Sequence, residues 1–314
     1  MKLSKIFPFI GIALFVYIIR RIGVGSVIQS VQGINYFYII IALIFLPLVI
    51  MLQSLKWKVI LDRQKIGIGI AETIKIQLVS IFYGFITPAR IGSFIKIAYL
   101  QEKIHNLGKS ASSVVIDRIL DLLTVLLLAG LGSLFLASKF SKVSVYILII
   151  ALCAAVLTAL LLFESRSRLI FKFVYSRMLP AKIKPKAKKS FDNFYNSIPS
   201  HLFLLVPFGL SILTWLATYL QVFFVAKSLG ISLAYPLLVG MLAISTLFSL
   251  LPISIAGLGT REAALVTLLG FFSIPAAKVV TMSLLGVLTT NILVSLFGLW
   301  FSIKGTKPEF LKEK

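Results

Sequence analysis

Residues 250–262 of the chain read LLPISIAGLGTRE, and this stretch interrupts an apolar run that extends from 235 to 274. A second interruption, TPARIGS at residues 87–93, lies within the apolar run 73–101. Proline and clustered glycines break a helix and leave backbone N–H and C=O groups without helical partners. Lipid cannot hydrogen-bond those groups, so a broken helix in a membrane must lie against protein or a wet cavity. Each run therefore predicts a re-entrant hairpin, in which two half-helices meet at a broken tip.

The composition around these runs is that of a membrane protein. Of the 314 residues, 59% are hydrophobic and 13% are charged, whereas ordinary soluble domains have about 25% charged residues. Such a chain is too apolar to cover a soluble surface and too apolar to be disordered. If most of it lies in a bilayer, no stretch remains for a soluble catalytic domain. We therefore expect one membrane domain over residues 1–314.

A spanning helix needs about 20 mostly apolar residues. Six stretches meet or approach this length, namely 6–22, 35–55, 113–137, 144–163, 201–226 and 275–301. Together with the two hairpins, they predict an all-α polytopic integral membrane protein with about six spanning helices.

The positive charge of the chain indicates its orientation. The net formal charge is +22, and nine Lys and Arg residues lie in the stretch 164–200. Cytoplasmic loops of membrane proteins accumulate such residues, and no soluble module is available to bind nucleic acid. We expect a cell-membrane location with 164–200 and both termini in the cytoplasm.

This orientation makes the first hairpin open to the cytoplasm and the second open outward. Opposed hairpins are typical of an inverted repeat, which is a common plan in transporters. Residues 89–93 and 256–260 share the pattern A-x-[IL]-G-[ST], at an offset of 167 residues. The sequence therefore predicts an inverted repeat.

Ionisable residues at membrane depth are functional candidates, because they are costly unless they pair or face water. Guanidinium groups grip phosphate with paired hydrogen bonds, and the N-terminal ends of broken helices attract anions. A lipid head group is the anion that most plausibly enters such a site. The predicted binding residues for its phosphate are Arg90, Lys96, Arg261, Gly92, Ser93, Gly259 and Thr260.

A second charged set lies in the helix after the first hairpin. Asp117 and Asp121 are four residues apart and share one helical face, and Arg118 can reach Asp121. Asp117 is then free for Lys96 or Arg90. We expect this set to form gating pairs, and the alternative is an ion-pair network that only holds the helices together.

Capping residues are predicted at the second half-helix of each hairpin. Thr260 is a good N-cap, and Glu262 in the following turn complements the helix dipole and joins the gating or ion-pair set. Ser93 is the corresponding cap in the first hairpin.

The same stretches resemble the transmembrane domain of the lysylphosphatidylglycerol synthetase/flippase family. The matching pieces are TPARIG at 87–92, VVIDRILDLL at 114–123 and most of LLPISIAGLGTREAA at 250–264, and the resemblance covers most of the chain. It implies a domain that moves charged or glycosylated lipids between leaflets. The soluble aminoacyl-transferase or glycosyltransferase domain of some members does not fit in 314 residues, so we expect a stand-alone form.

The chain departs from the family pattern at several positions. The family usually has Glu at the position of Ser93, Arg at that of Lys96, and often Pro-Gly-Gly where this chain has residues 255–257. The Arg that is common near Gly286 is missing. The resemblance therefore carries the architecture and leaves the substrate open.

We expect flippase- or scramblase-like translocation of an anionic or glycosylated phospholipid, without enzyme chemistry, cofactor or metal. One alternative is a membrane-embedded lipid-modifying transferase that uses Asp117 or Asp121 as a base. Another is a non-transporting subunit that anchors a lipid or glycan synthesis enzyme through 164–200. The expected partners are an anionic or lipid-linked substrate, the membrane, and a second copy of the chain or such an enzyme.

The orientation can be tested with a single cysteine at Lys186, placed in a Cys153→Ser background because Cys153 is the one native cysteine. In intact cells, an impermeant maleimide should leave this cysteine unlabelled until the membrane is opened. Labelling from outside would contradict the predicted orientation.

Overall fold

The structure is a computed structural model that describes residues 7–137 and 184–304, with seven further positions between 145 and 156. Over these residues the chain is helical, and it contains no β-strand. The all-α class is therefore confirmed. The predicted span 144–163, most of the basic stretch 164–200, and the ends of the chain lie outside the described residues.

Helices account for almost all of the described residues. We number them α1 (Phe7–Ile22), α2 (Val24–Gln32), α3 (Tyr36–Arg63), α4 (Ile70–Ile86), α5 (Ile95–Ile104), α6 (Leu107–Ala137), α7 (Lys184–Asn196), α8 (His201–Ser228), α9 (Tyr235–Ser249), α10 (Thr260–Gly270), α11 (Ala276–Val287) and α12 (Leu293–Lys304). A 3₁₀ turn at Ile91–Phe94 precedes α5, and a π-helical turn at Leu288–Ile292 joins α11 to α12.

Three helical segments of the described ranges are long and apolar enough to cross a membrane, namely α3, α8 and the continuous α11–α12. A fourth is formed if α1 and α2, which meet at an angle of 76°, count as one bent span. Gly23 allows this bend, because its φ of 86° lies in the left-handed region that favours glycine. The predicted stretch 6–22 thus corresponds to α1, whereas α2 was not predicted. The total of about six spans stays a prediction.

Both predicted interruptions are present. The chain leaves α4 after Ile86 and resumes a helix at the 3₁₀ turn, and it leaves α9 after Ser249 and resumes at α10. Ala89 and Arg90 have φ values of 50° and 56°, and Ala256 and Gly257 have 54° and 77°. Each break therefore has two successive left-handed residues, at the same two positions of the shared pattern. This conformation is unfavourable for residues with a Cβ, so surrounding structure must hold it in place.

The two broken tips meet each other. Pro88 in the first break and Ile255 in the second form an isolated antiparallel β-bridge. Pro88 has no N–H to donate, and its conformation already ends the preceding helix. The contact brings backbone from two distant parts of the chain together and shields it from the surroundings.

Other polar groups freed at the breaks are also satisfied by protein. The Thr87 hydroxyl accepts a hydrogen bond from the Gly92 N–H at 2.7 Å. The Gly11 N–H of α1 donates to the Ile253 carbonyl at 2.9 Å. These hydrogen bonds within the protein are what a helix that breaks in an apolar medium requires, because lipid cannot provide them.

The helices that lead into each break pack against helices that follow the other break. Helix α3 packs against α8, α4 against α12, and α9 against α6. Glycines allow the close approaches: a Cβ at Gly132 would lie 2.1 Å from the Gly240 Cα, and a Cβ at Gly298 would lie 2.2 Å from the Leu78 carbonyl oxygen. Helix α4, which leads into the first break, thus packs against α12, which follows the second break. Helix α9, which leads into the second break, packs against α6, which follows the first.

The close approach of α6 and α9 can be tested with Gly132→Ala. The added methyl group must displace Gly240 backbone, and overpacking of this kind costs about 1–3 kcal/mol. We expect a lower melting temperature in detergent. Gly209→Ala in α8 is the matched control, because no atom lies within 4 Å of the added Cβ. Equal melting temperatures for the two variants would contradict the tight α6–α9 contact.

Candidate functional site

A buried network of two lysines and two aspartates joins α3, α5 and α6. Lys56 Nζ lies 2.9 Å from Asp117 Oδ1 and 2.5 Å from Asp121 Oδ1. Lys96 Nζ lies 3.0 Å from Asp117 Oδ2. Lys56, Lys96 and Asp117 are almost completely buried. The formal charges of the four side chains cancel, as a buried ionic cluster requires.

The structure decides between the two partners that the sequence left open for Asp117. Lys96 is the partner, and its ammonium also lies 4.3 Å from the centre of the Trp57 ring. With an exposed fraction of 0%, Lys96 does not reach either cavity described below. The charge of Lys96 is thus paired within the protein, and its role in binding a head group stays a prediction.

Lys56 is a member of the network that the sequence interpretation missed. That interpretation ended the predicted span 35–55 one residue before Lys56. In the structure α3 continues to Arg63 and buries Trp57, Ile60 and Leu61. These three apolar residues recur at helical spacing, and they were the available signal that the helix extends past the lysine.

Arg118 lies beside the network but outside its short contacts. Its guanidinium nitrogens are 3.8 Å from Asp117 Oδ2 and 3.9 Å from Asp121 Oδ2, too far for hydrogen bonds. Asp121 Oδ1 instead accepts hydrogen bonds from Ser211 at 3.0 Å and from the Trp215 indole at 3.3 Å. The predicted pairing of Arg118 with Asp121 is thus present only as an ion pair at 3.9 Å, without a hydrogen bond.

Arg90 lies in the first break, close to the bridge between the tips. Its Nη2 donates to Asn291 Oδ1 at 3.4 Å, which is a long hydrogen bond. Asn291 belongs to the π-helical turn, a feature that is frequent at functional sites. Side-chain periodicity does not predict a π-helical turn, so the sequence did not identify Asn291.

Arg261, which the sequence predicts to bind phosphate, forms a close ion pair with the neighbouring Glu262. Its Nη2 lies 2.6 Å from Glu262 Oε1, and its Nε donates to Ser283 Oγ at 2.9 Å. The Ser283 hydroxyl donates in turn to Glu262 Oε1 at 2.7 Å. Glu262 is fully buried, so the pair forms a second neutral unit beside the second break.

The predicted caps differ from the observed ones. Gly259, not Thr260, is the N-cap of α10, and its N–H donates to Glu262 Oε2 at 2.6 Å. Thr260 is the first helical residue, and its hydroxyl is hydrogen-bonded to Ser254 Oγ at 2.9 Å. Ser93 lies inside the 3₁₀ turn and does not cap α5. At each break the observed N-cap lies one residue from the predicted one, before it at α10 and after it, at Phe94, in α5.

Two cavities meet at Arg90. The first, which we call the Arg118 cavity, has a volume of about 100 Å³ and is lined by Arg90, Arg118, Ser93, Gln53 and Gln77, among others. The second, the Arg261 cavity, has a volume of about 70 Å³ and lies between Arg90, Arg261, Tyr219 and Ser283. Arg90, Trp215, Thr218, Thr290 and Asn291 line both.

The predicted binding residues divide into two groups. Arg90, Ser93 and Arg261 line a cavity, whereas Lys96, Gly92, Gly259 and Thr260 do not. A Cβ at Gly92 would lie 2.1 Å from the Tyr83 carbonyl oxygen, and one at Gly259 would lie 2.0 Å from the Gly11 carbonyl oxygen. These glycines therefore serve the close packing of the tips.

The sequence pattern of a protein family described as lysylphosphatidylglycerol synthase TM region matches residues 6–298. Among similar proteins, a UPF0104 membrane protein of Methanocaldococcus jannaschii is 24% identical, over 99% of this chain and 97% of its own length. A UPF0104 membrane protein of Pyrococcus horikoshii is 25% identical, over 95% of this chain and 96% of its own length. One of Methanothermobacter thermautotrophicus is 22% identical, over 94% of this chain and 91% of its own length.

The buried network can be tested through Asp117→Asn. This change leaves Lys96 without a carboxylate, and breaking one partner of a buried pair costs about 3–5 kcal/mol. We expect a marked loss of melting temperature in detergent, part of which Lys96→Met in the same chain should restore. Asp62→Asn is the control, because the Lys58–Asp62 pair is exposed and worth about 0–1 kcal/mol. If Asp117→Asn were as mild as the control, the network would not be buried.

Proposed function

We propose, from the premise that the chain belongs to the lysylphosphatidylglycerol synthase transmembrane-region family, that it translocates an anionic or glycosylated phospholipid across the cell membrane as a flippase or scramblase. The family and the apolar helices make it an integral membrane protein. Its relationship to a lipid-related family supports a lipid as substrate.

The position of Arg90 is the observation that carries this proposal. It is a cation with one long hydrogen bond, and it faces both cavities at the junction of the broken tips. A head group must cross an apolar layer in which its charge is costly. An arginine shared by two cavities gives the phosphate one partner that it can keep while the surrounding helices rearrange.

An inverted repeat is part of the same proposal. The bridge joins Pro88 to Ile255, and these residues are separated by the same offset as the two copies of the shared pattern. An antiparallel pairing of equivalent residues is the arrangement expected at a two-fold axis. The exchanged packing, α4 with α12 and α9 with α6, also follows from such an axis. In an inverted repeat the axis lies in the membrane plane, so the two cavities would open to opposite sides.

The two neutral units flanking Arg90 are our proposed gates. One is the Lys56–Asp117–Lys96–Asp121 network, and the other is the Arg261–Glu262 pair. Each closes the cavity wall without leaving a net charge in the apolar layer. An incoming phosphate would compete with the Glu262 carboxylate for Arg261, and this exchange would loosen the α10–α11 contact through Ser283.

The alternative of a lipid-modifying transferase requires a carboxylate that can reach a substrate proton. Each oxygen of Asp117 lies within 3.0 Å of a lysine ammonium, and Asp121 Oδ1 has three polar neighbours. These contacts favour transport over general-base chemistry. A partner subunit anchored through 164–200 is the other alternative, and a stoichiometric cytosolic enzyme that co-purifies with the chain would favour it.

The test is a translocation assay on purified protein in liposomes, with fluorescent lipids of several head groups and a quencher added outside. We expect the wild type to move at least one anionic lipid faster than empty liposomes do. Arg90→Gln should lower that rate about tenfold or more, since a charged hydrogen-bond partner is worth about 1.5–3 kcal/mol. Arg90→Lys, which lacks the paired donors, should be intermediate.

Arg20→Gln serves as the control, because Arg20 is exposed at the end of α1. Comparable melting temperatures for the three variants would show that they fold. The proposal is rejected if no lipid moves faster than in empty liposomes, or if Arg90→Gln transports like the wild type. Product formation from a radiolabelled donor by the purified protein would favour the transferase.

A further inference from the structure

The charged side chains around the broken tips do not balance. Among the described residues, this central set holds five cations, Lys56, Lys96, Arg90, Arg118 and Arg261, and three carboxylates, Asp117, Asp121 and Glu262. The four-residue network is neutral, and so is the Arg261–Glu262 pair. Arg90 and Arg118 are left over, and both line the Arg118 cavity. Lys56 and Asp121 also line it and offset each other, so this cavity has an excess of two positive charges.

The same cavity is bordered by polar atoms that have no hydrogen-bond partner among the described residues. The Arg118 Nε and the Ser93 hydroxyl are both inaccessible and unpartnered, and so is the side-chain oxygen of Gln77, an acceptor on a residue that lines the same cavity. Ser93 itself is 3% exposed. Buried polar groups almost always have a partner, so these two donors indicate a missing acceptor. Together with the long Arg90–Asn291 contact, they show that three residues lining this cavity have donors without a close acceptor.

The two guanidinium groups also repel each other. Like charges that face the same weakly polar cavity destabilise the protein unless an anion lies between them. An ion with a single negative charge would leave one guanidinium uncompensated. A phosphate monoester carries about 1.5–2 negative charges at neutral pH and three strong acceptor oxygens, which matches both the charge and the donors.

We infer that the Arg118 cavity binds a phosphate monoester dianion, held by Arg90 and Arg118 with Ser93 as an additional donor. A volume of about 100 Å³ admits the phosphate group and leaves the rest of a lipid outside. The substrate class is thus a lipid that ends in a phosphate monoester, in preference to a phosphodiester or a glycosylated head group. That the dianion belongs to a lipid rests on the proposed function, whereas its charge rests on the cavity alone.

The test measures the melting temperature of the purified chain in detergent with added lipid, because a ligand of the folded state raises it. The lipids are phosphatidic acid, phosphatidylglycerol and phosphatidylcholine at equal mole fraction. Phosphatidic acid should stabilise the wild type most and phosphatidylcholine least. Titration should show about a tenfold weaker affinity for phosphatidic acid in Arg118→Gln, and a smaller loss in Ser93→Ala.

The variants are compared with Arg20→Gln, and their melting temperatures without lipid show whether they fold. Ser93→Ala removes one hydroxyl and no charge, so it tests the site even if Arg118→Gln is unstable. Equal stabilisation by all three lipids would overturn the inference, and so would unchanged affinity in both variants. Inorganic phosphate is the last arm: stabilisation by it alone would support the dianion site and reject a lipid as its source.

The translocation assay separates this inference from the proposed function. Binding of phosphatidic acid that depends on Arg118, without translocation of any lipid, would leave the site standing and reject transport. Translocation of phosphatidylcholine and phosphatidylglycerol at rates that Arg118→Gln does not change would leave transport standing and reject the dianion site.

Discussion

The contact between the two broken tips is the constraint on which the rest of this structure depends. A helix that breaks in an apolar medium must find protein partners for its free N–H and C=O groups. The Pro88–Ile255 bridge, the Thr87 hydroxyl and the N–H of Gly11 supply some of them. Because the tips contact each other, residues of the first break are brought against helices that follow the second. Arg90 is one of these residues, so its location follows from backbone requirements before any ligand is considered.

The same apolar surroundings dictate how the charges are arranged. Lys56 and Lys96 share two aspartates, and Arg261 has Glu262, so each of these units is neutral. Arg90 and Arg118 are the exceptions. An uncompensated charge at membrane depth lowers stability, and it is retained in proteins mostly where it has a function. The two arginines that lack a carboxylate of their own, Arg90 and Arg118, are therefore more informative about function than the total number of charged residues.

The sequence predicted the features that depend on local chemistry, and it missed those that depend on packing. Proline and glycine marked both breaks correctly, and the scarcity of charge made Lys96 and Asp117 recognisable as partners. Lys56 was left outside the predicted span 35–55 because a lysine at the end of an apolar run resembles a membrane boundary, and only tertiary contacts show that it is buried. Asn291 was missed because a π-helical turn leaves no periodic signal in the sequence. The donor to the Thr289 carbonyl of this turn is the Gln221 side chain of a different helix, α8.

The two halves around the bridge share a backbone plan but not a charge distribution. Arg90 occupies the position of the shared pattern at which the second half has Gly257, and both residues have a left-handed backbone. A glycine adopts that conformation without strain, whereas an arginine must be held there. At this position the first half thus has a cationic side chain, whereas the second half has a glycine that only allows the left-handed backbone. An anion would then bind the Arg118 cavity more tightly than the Arg261 cavity, whose own arginine is already paired with Glu262. Unequal affinity cannot drive a lipid against its gradient, because a carrier without an energy source leaves the equilibrium unchanged. If the chain carries a lipid as proposed, the anion would stay longest in the Arg118 cavity, and its release from there would be the slow step of the cycle.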